Sequence, residues 1–319
     1  MNFPFFPTEA SKVAVQVDHL YFALLCLSAL TMIMVFGPMI YFLFKYRRGN
    51  KADRRPVRFS ENTIEITWTL IPAILFIGLF AWGADVYWII ERPPAEAMEI
   101  NVVGKQWMWK IEHPEGNREI NELHVPLGRN VKLILASQDV IHSFFLPEFR
   151  IKQDVVPGRY VELWFKAEKL GTFHLFCSEY CGTHHSAMHG SVIVMTPDDY
   201  QKWLTQGAPG PTMVQEGEKL FREYGCSGCH VNSTAVRAPP LEGIFGHPVP
   251  LQTGQIVTAD EGYIRDSILL PAKDIVAGYT NDMPSFQGHI SEENLMKLVA
   301  YIRSIANGMP QQPPAGGWK

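Results

Sequence analysis

Residues 177–188 read CSEYCGTHHSAM, so two thiols, two imidazoles and a thioether lie within twelve residues. Thiolate and thioether sulfur are soft ligands, and imidazole binds copper well. Cys177 and Cys181 are close enough to bridge two metal ions, whereas a zinc ribbon requires a second cysteine pair. His142, in VIHSFFLP, is the candidate for a further imidazole ligand from upstream of the motif. The stretch therefore predicts a copper site.

A second motif, CSGCH, occupies residues 226–230. This pattern attaches c-type haem: Cys226 and Cys229 form the thioether bonds, and His230 is the proximal axial ligand. A disulfide is the alternative for each cysteine pair, because extracytoplasmic domains are oxidised. The histidines and methionine that flank the pairs favour metal binding instead.

The sixth ligand of an electron-transfer haem is usually methionine, which raises the reduction potential. Three methionines after the motif are candidates: Met283, Met296 and Met309. Met283 is preferred because it lies in a loop between helical patterns, whereas Met296 lies within a helical pattern and Met309 in the tail. A six-coordinate haem has no open position for substrate, so we expect this segment to transfer electrons.

Two apolar runs near the start of the chain are long enough to cross a bilayer. Leu20 to Phe44 is 25 residues without a charge, and Ile66 to Ala84 is 19 more. A membrane helix requires about 20 apolar residues. Pro38 and Pro72 fall inside these runs, where membrane helices tolerate them. Both runs are predicted to be transmembrane helices, and buried core helices are the alternative.

The loop between the runs predicts the orientation of the chain. Residues 45–60 contain one anion, Asp53, and these cations: Lys45, Arg47, Arg48, Lys51, Arg54, Arg55 and Arg58. A short loop this basic stays cytoplasmic. Both termini and everything after Asp85 are therefore expected on the outer, periplasmic face of the cell membrane. Residues 1–19 lack the cationic region of a secretory signal.

Composition and the positions of turn-forming residues predict how the rest of the chain is divided. The chain has 319 residues and a net charge of −4, which gives no reason to expect nucleic-acid binding. Alternating patterns separated by turns favour antiparallel β-structure over 98–204, and helical patterns favour an all-α segment over 213–308. The expected divisions are an outer segment 1–19, a hairpin 20–91, a copper domain 98–204, a linker 205–212, a cytochrome domain 213–308 and a tail 309–319.

The copper motif, together with IHSFFLPEFRIKQDVVPGR before it, resembles subunit II of haem–copper cytochrome c oxidases. The segments EITWTLIP at 65–72 and GKQWMW at 104–109 extend the resemblance over most of residues 20–200. It implies a dinuclear copper A centre in a cupredoxin-like antiparallel β-barrel behind a two-helix hairpin. The implied ligands are the bridging Cys177 and Cys181, the terminal His142 and His185, the weak ligand Met188, and the backbone carbonyl of Glu179.

The resemblance also assigns roles outside the copper ligands. The Glu179 carboxylate would bind a magnesium ion shared with subunit I. Trp107 would receive electrons from cytochrome c, with barrel packing as the alternative. Glu65 would stand at the mouth of a proton channel of subunit I, and the spacing of Asn62 to Glu65 alternatively matches a helix capping box. Family spacing makes His185 the ligand and His184 a non-ligand, while His174 and His189 are expected to be structural.

Residues after the linker resemble class I cytochromes c, in which an MPxF loop supplies Met283 as ligand and Pro239 orients the proximal histidine through its carbonyl. The complete arrangement resembles caa-type oxidases. It implies electron relay from the fused haem c to copper A and on to subunit I, where oxygen is reduced to water and protons are translocated. The implied partners are the other oxidase subunits, membrane lipid, and an external donor such as cytochrome c or a quinol–cytochrome reductase complex.

Three alternatives remain open from the sequence. A copper-A subunit of a nitric oxide reductase would use the same relay for another gas. A nitrous oxide reductase shares the copper motif, but this chain lacks room for its large second domain. A membrane-tethered shuttle or copper-delivery protein would act without an oxidase. Delivery would require methionine-rich sequence, which is not apparent, and Glu65 and Glu179 favour contact with a catalytic subunit.

Overall fold

The apolar runs form two long helices in a computed structural model, which describes residues 6–55, 61–206, 211–231 and 238–306. Helix α1 spans Lys12–Lys45 and helix α2 spans Glu61–Glu91. Each is long and apolar enough to cross a membrane. Residues 1–93 with 148–150 form one compact unit, and the remaining residues form a second. Arg58, Met309, residues 207–210 and the tail 309–319 lie outside the described residues.

The start of α2 corrects one interpretation of the sequence. The helix begins at Glu61, so Asn62 lies inside it and is not the capping residue that the spacing of Asn62 and Glu65 suggested. The Glu65 side chain is exposed. The start of α1 shows a genuine cap, in which the Ser11 hydroxyl accepts a hydrogen bond from the Ala14 amide at 3.1 Å.

Ten strands follow α2 and form two five-stranded sheets that together make the cupredoxin-like domain. The strands are β1 (Met98–Lys105), β2 (Met108–Glu112), β3 (Arg118–Ile120), β4 (Glu122–Pro126), β5 (Asn130–Ser137), β6 (His142–Leu146), β7 (Ile151–Val155), β8 (Val161–Lys166), β9 (Gly171–Cys177) and β10 (His189–Met195). The first sheet has the order β3-β2-β1-β5-β8, and the second has the order β4-β10-β9-β6-β7. Most pairs are antiparallel, but β1 pairs in parallel with β5, and β4 with β10.

Side-chain alternation explains how the two sheets pack. In β9, Phe173, Leu175 and Cys177 are buried while His174 and Phe176 are exposed, as the sequence pattern predicted. In contrast, β1 and β5 contain runs of consecutive buried residues. A strand that is buried on both faces reads as a continuous apolar run. The first sheet is therefore covered on its outer face as well as by the second sheet.

Helix α3 (Pro197–Gln206) ends the β-domain, and a helical segment follows. Its elements are α4 (Met213–Glu223), α5 (Ser227–His230), the short strands β11 (Pro248–Pro250) and β12 (Ile256–Thr258), α6 (Glu261–Leu269) and α7 (Glu292–Ala306). Thr212 forms a capping box with Gln215 at the start of α4. The Ser291 hydroxyl accepts a hydrogen bond from the Asn294 amide at 3.3 Å and so caps the start of α7.

The helical segment has its own apolar core, to which α4, α6 and α7 contribute Phe221, Ile264, Ile268, Leu295, Leu298 and Ile302. Helices α4 and α7 touch at Gly217, where a Cβ would lie 2.0 Å from the Lys297 carbonyl oxygen. Glycine is required at this position because the two backbones are in direct contact.

Replacing Gly217 with alanine should push α4 away from α7. Overpacking of this kind typically costs about 1–3 kcal/mol, and we expect a lower midpoint for loss of the helical segment in thermal unfolding followed by circular dichroism. Lys219→Ala, at an exposed position of α4, is the matched control. Equal midpoints for the two variants would contradict the packing argument.

Candidate metal centres

Strand pairing brings the upstream histidine beside the first cysteine of the copper motif. β6 pairs with β9 so that Phe144 lies opposite Cys177. His142 is the first residue of β6, and Cys177 is the last residue of β9. The Cys177 amide donates to the Met188 carbonyl at 3.0 Å, which closes the loop of residues 178–188 over the strand ends. His142 and Cys177, which are 35 positions apart in the sequence, thus share one site.

Sulfur and imidazole atoms cluster inside this loop. The Cys181 Sγ lies 3.8 Å from the Cys177 Sγ, 3.5 Å from the His185 Nδ1 and 3.7 Å from the Met188 Sδ. One nitrogen of His142 lies within 4.8 Å of both cysteine sulfurs. Both cysteines are free thiols, so the disulfide alternative is wrong for this pair, and it is also wrong for Cys226 and Cys229.

His142 of β6 is held so that one of its ring nitrogens is available to bind a metal. Its Nε2 lies 2.8 Å from the Asp139 carboxylate. Its Nδ1 is buried and has no hydrogen-bond partner among the described residues. A buried polar atom without a partner is costly unless a ligand satisfies it. Gly104 makes room for this ring, because a Cβ there would lie 3.1 Å from His142. The donor set therefore fits a soft, imidazole-binding metal such as copper.

The two thiols differ in their ionisation. Burial opposes ionisation of Cys177, yet the neighbouring His142 ring and the Ser143 backbone lower its pKa to about 6. Burial and the charge on Cys177 raise the pKa of Cys181 to about 12. One thiolate is therefore present at neutral pH before a metal binds, and metal binding has to displace the second proton.

The adjacent histidines of the loop point to different neighbours. His185 is half-buried and contacts Cys181. His184 is exposed, and its ring packs edge-on against Trp107 with 4.6 Å between centroids. The Trp107 indole Nε1 donates to the Cys181 carbonyl at 3.2 Å, so the tryptophan lies one hydrogen bond from a cysteine of the cluster.

Other predicted residues lie outside the sulfur cluster. The Glu179 carboxylate is partly exposed and lies 3.9 Å from the Lys152 Nζ, while its backbone carbonyl lies 3.3 Å from the Cys177 Sγ. His174 lies on β9 opposite Ser191, and His189 lies on β10 opposite Phe176. Both histidine side chains are exposed. Sequence reasoning missed Asp139, although its position three residues before His142 was a usable signal for an orienting carboxylate.

A large cavity in the helical segment contains the second motif. It has a volume of about 1280 Å³ including its open mouth, and Cys226, Cys229, His230 and Met283 all line it. The rest of the wall is mainly apolar and includes Ile264, Ile268 and Leu298. Apolar walls with two thiols and an imidazole at one side fit a covalently attached haem.

The proximal and distal candidates occupy suitable positions in this cavity. The His230 Nδ1 lies 3.0 Å from the Pro239 carbonyl oxygen, so Nδ1 can donate its proton there and leave Nε2 for a metal. Met283 is half-buried in the cavity wall. Met296, by contrast, is 4% exposed and packs against Val103, Ile134 and Ala136 of the β-domain.

Comparison with known proteins agrees with both sites. The family model of the cytochrome c oxidase subunit II transmembrane domain matches residues 1–82, and that of its periplasmic domain matches 118–196. Cytochrome c oxidase subunit 2 of Alkalihalophilus pseudofirmus is 32% identical over 294 residues, which cover 87% of this chain and 83% of that protein. The chain belongs to the cytochrome c oxidase subunit II family. Residues 212–302 also match the model of subunit III of cbb3-type cytochrome c oxidases.

Further relatives share the same name. Cytochrome c oxidase subunit 2 of Thermostichus vulcanus is 29% identical over 277 residues, which cover 69% of this chain and 84% of that protein. The crystal structure of the periplasmic domain of subunit II from Bradyrhizobium japonicum has 32% identity and a TM-score of 0.35, and the match covers 36% of this chain and 96% of that one.

Membership in the family has direct consequences. This oxidase subunit II is anchored in the membrane by its N-terminal helices and carries a cytochrome c domain at its C-terminal side. The family implies copper A in the β-domain and haem c in the helical segment. It also implies assembly with subunit I and other oxidase subunits.

Substitution at His185 should remove copper, whereas substitution at the adjacent His184 should not. His185→Gln is expected to lose the electron paramagnetic resonance signal of copper A and most bound copper, because an imidazole beside Cys181 is gone. His184→Gln is the matched control. Both are measured by elemental copper analysis of the purified protein, and copper loss from His184→Gln instead would reverse the assignment.

Met283→Ala should leave haem covalently attached while changing its ligation. The expected result is retention of haem stain on a denaturing gel, loss of the low-spin spectrum and a lower reduction potential. Met296→Ala is the control, because it removes the same thioether group from a position outside the cavity. This variant should keep the low-spin spectrum. A low-spin spectrum in Met283→Ala would contradict the assignment.

Proposed function

We propose that this chain is subunit II of a caa-type oxidase and relays single electrons from its own haem c to copper A. From there electrons continue to haem and copper in subunit I, where oxygen is reduced to water and protons are translocated. The observation that carries the proposal is the presence, in one chain, of the His142–Cys177–Cys181 cluster and of a cavity lined by Cys226, Cys229 and His230.

In the copper centre, the ligands would be the Cys177 and Cys181 thiolates, the His142 and His185 imidazoles, the Met188 thioether as a weak ligand, and the Glu179 backbone carbonyl. Copper A, when bound, accepts and releases one electron at a time. Asp139 positions His142 by accepting a hydrogen bond at Nε2. Trp107, hydrogen-bonded to the Cys181 carbonyl, would receive electrons from an external cytochrome c.

In the cytochrome domain, Cys226 and Cys229 would hold the haem covalently, and His230 and Met283 would be its two protein ligands. The Pro239 carbonyl fixes the orientation of the proximal ring by accepting from Nδ1. With both ligands supplied by the chain, oxygen would have no place to bind on the haem. The domain would therefore pass electrons and leave oxygen chemistry to subunit I.

Placement in the membrane follows from the basic loop after α1. The proposed orientation puts both termini and both metal domains on the outer face. Glu65, exposed near the start of α2, would serve the mouth of a proton channel of subunit I. The partly exposed Glu179 carboxylate would bind magnesium at the contact with subunit I. The short linker raises the effective concentration of the donor at the copper domain.

The proposed relay predicts respiration without a soluble cytochrome. Purified oxidase complex, mixed with a quinol–cytochrome reductase complex and quinol, should consume oxygen when no cytochrome c is added. A Cys226→Ala, Cys229→Ala double variant, which cannot attach haem, should lose this activity and regain part of it when soluble cytochrome c is supplied. Arg222→Met, a change at an exposed residue of the same domain, is the control.

Two outcomes would overturn the proposal. Strict dependence of the unaltered complex on added cytochrome c would show that the tethered haem is not the donor. An optical spectrum with haem b and haem c bands but no haem a would indicate nitric oxide reduction in place of oxygen reduction.

A further inference from the structure

The cytochrome domain packs on the outer face of the first sheet through a small apolar centre. Val103, Ile134 and Ala136 of the sheet contact Met213 and Met296 of the helices. This contact explains why β1 and β5 are buried on both faces. Salt bridges surround it: Lys110 to Glu293 at 2.5 Å, Arg118 to Glu216 at 2.5 Å, Lys297 to Glu216 at 2.6 Å, and Arg303 to Glu99.

The direction of α7 along the sheet places its beginning toward the copper end. Arg303 in its last turn pairs with Glu99, near the start of β1. Glu293 in its first turn pairs with Lys110, which lies opposite Val103 near the end of β1. Gly104, the next residue of β1, adjoins the His142 ring.

One buried cation joins the haem cavity wall to the copper domain at this end. Ile264, Ser267 and Ile268 of α6 line the cavity. Arg265 of the same helix is 3% exposed, and its guanidinium donates to the Gly158 carbonyl at 2.6 Å and to the Glu292 carboxylate at 2.6 Å. A single helix, α6, therefore separates the cavity from residue 158.

From Gly158 the connection to the copper ligand is short. Its neighbour Pro157 forms a β-bridge with Ser137. Two residues after Ser137, the Asp139 carboxylate holds the His142 Nε2 at 2.8 Å. The path from the cavity wall to His142 thus consists of covalent bonds, one bridge and two hydrogen bonds. It does not pass through Trp107, whose indole contacts Cys181 and His184.

We infer that the tethered haem delivers electrons to copper A through the Arg265–Gly158 contact and the His142 side, while Trp107 serves donors from outside. This inference rests on the proposed relay. In each transfer the haem iron is oxidised by one electron, from ferrous to ferric, and the copper pair is reduced by one electron. No bond forms or breaks. Arg265 acts as a positioning residue that holds the cavity wall against residue 158.

The test uses the full oxidase complex and an Arg265→Met variant. After photoreduction of haem c, copper A reduction should slow by roughly tenfold or more, because a charge-assisted hydrogen bond that holds the two domains is lost. Hydrogen–deuterium exchange at residues 158–160, an independent readout, should accelerate by a similar factor of about ten. Arg222→Met, at an exposed cation of the same domain, should leave both rates unchanged.

Arg265→Lys keeps a cation that can pair with Glu292. It is the second variant to be measured if Arg265→Met does not retain haem. It should fall between the unaltered protein and the methionine variant in both readouts. Unchanged transfer and exchange in Arg265→Lys and Arg265→Met would overturn the route, as would a Trp107→Phe variant that slows transfer from the tethered haem tenfold. Failure of the proposed relay is distinguishable, because then haem c would not reduce copper A in the unaltered complex either.

Discussion

Antiparallel pairing of β6 with β9 is the constraint on which the copper site depends. It sets Phe144 opposite Cys177 and thereby brings the first residue of β6, His142, beside the cysteine loop. A shift of one residue would turn every side chain of β9 to the opposite face of the sheet. Cys177 would then point to solvent, and the buried cluster of sulfur and imidazole atoms could not form. The register between β6 and β9, and not the composition of the loop alone, brings the sulfur and imidazole groups together.

The same strands connect the metal centre to its surroundings. Asp139, just before β6, holds one nitrogen of His142 and also accepts from the Gln106 amide at 2.7 Å. The turn after β1 is therefore tied to the histidine, and Trp107 in that turn is tied to the cysteine loop through Cys181. These contacts thus place a histidine, a cysteine and a half-buried aromatic residue within a few hydrogen bonds of one another.

The cytochrome domain extends this arrangement through its contact with the first sheet. A linker alone would only raise the local concentration of the cytochrome domain at the β-domain. The apolar centre and the surrounding salt bridges instead define one docked position. Salt bridges at such a contact contribute more to orientation than to affinity, whereas the buried apolar side chains supply most of the stabilisation. In this position α7 covers the sheet with one side and lines the haem cavity with Leu298 and Ile302 on the other.

Local pattern was enough to predict the two apolar N-terminal helices, the cupredoxin-like domain and the helical segment, because apolar length and alternation act within short stretches of chain. The capping interpretation at Asn62 was wrong, since a cap depends on where the helix begins. Only the tertiary structure revealed Met296 at the domain contact and Arg265 at Gly158. These depend on strand register and on packing between segments more than 100 residues apart, which no local pattern specifies.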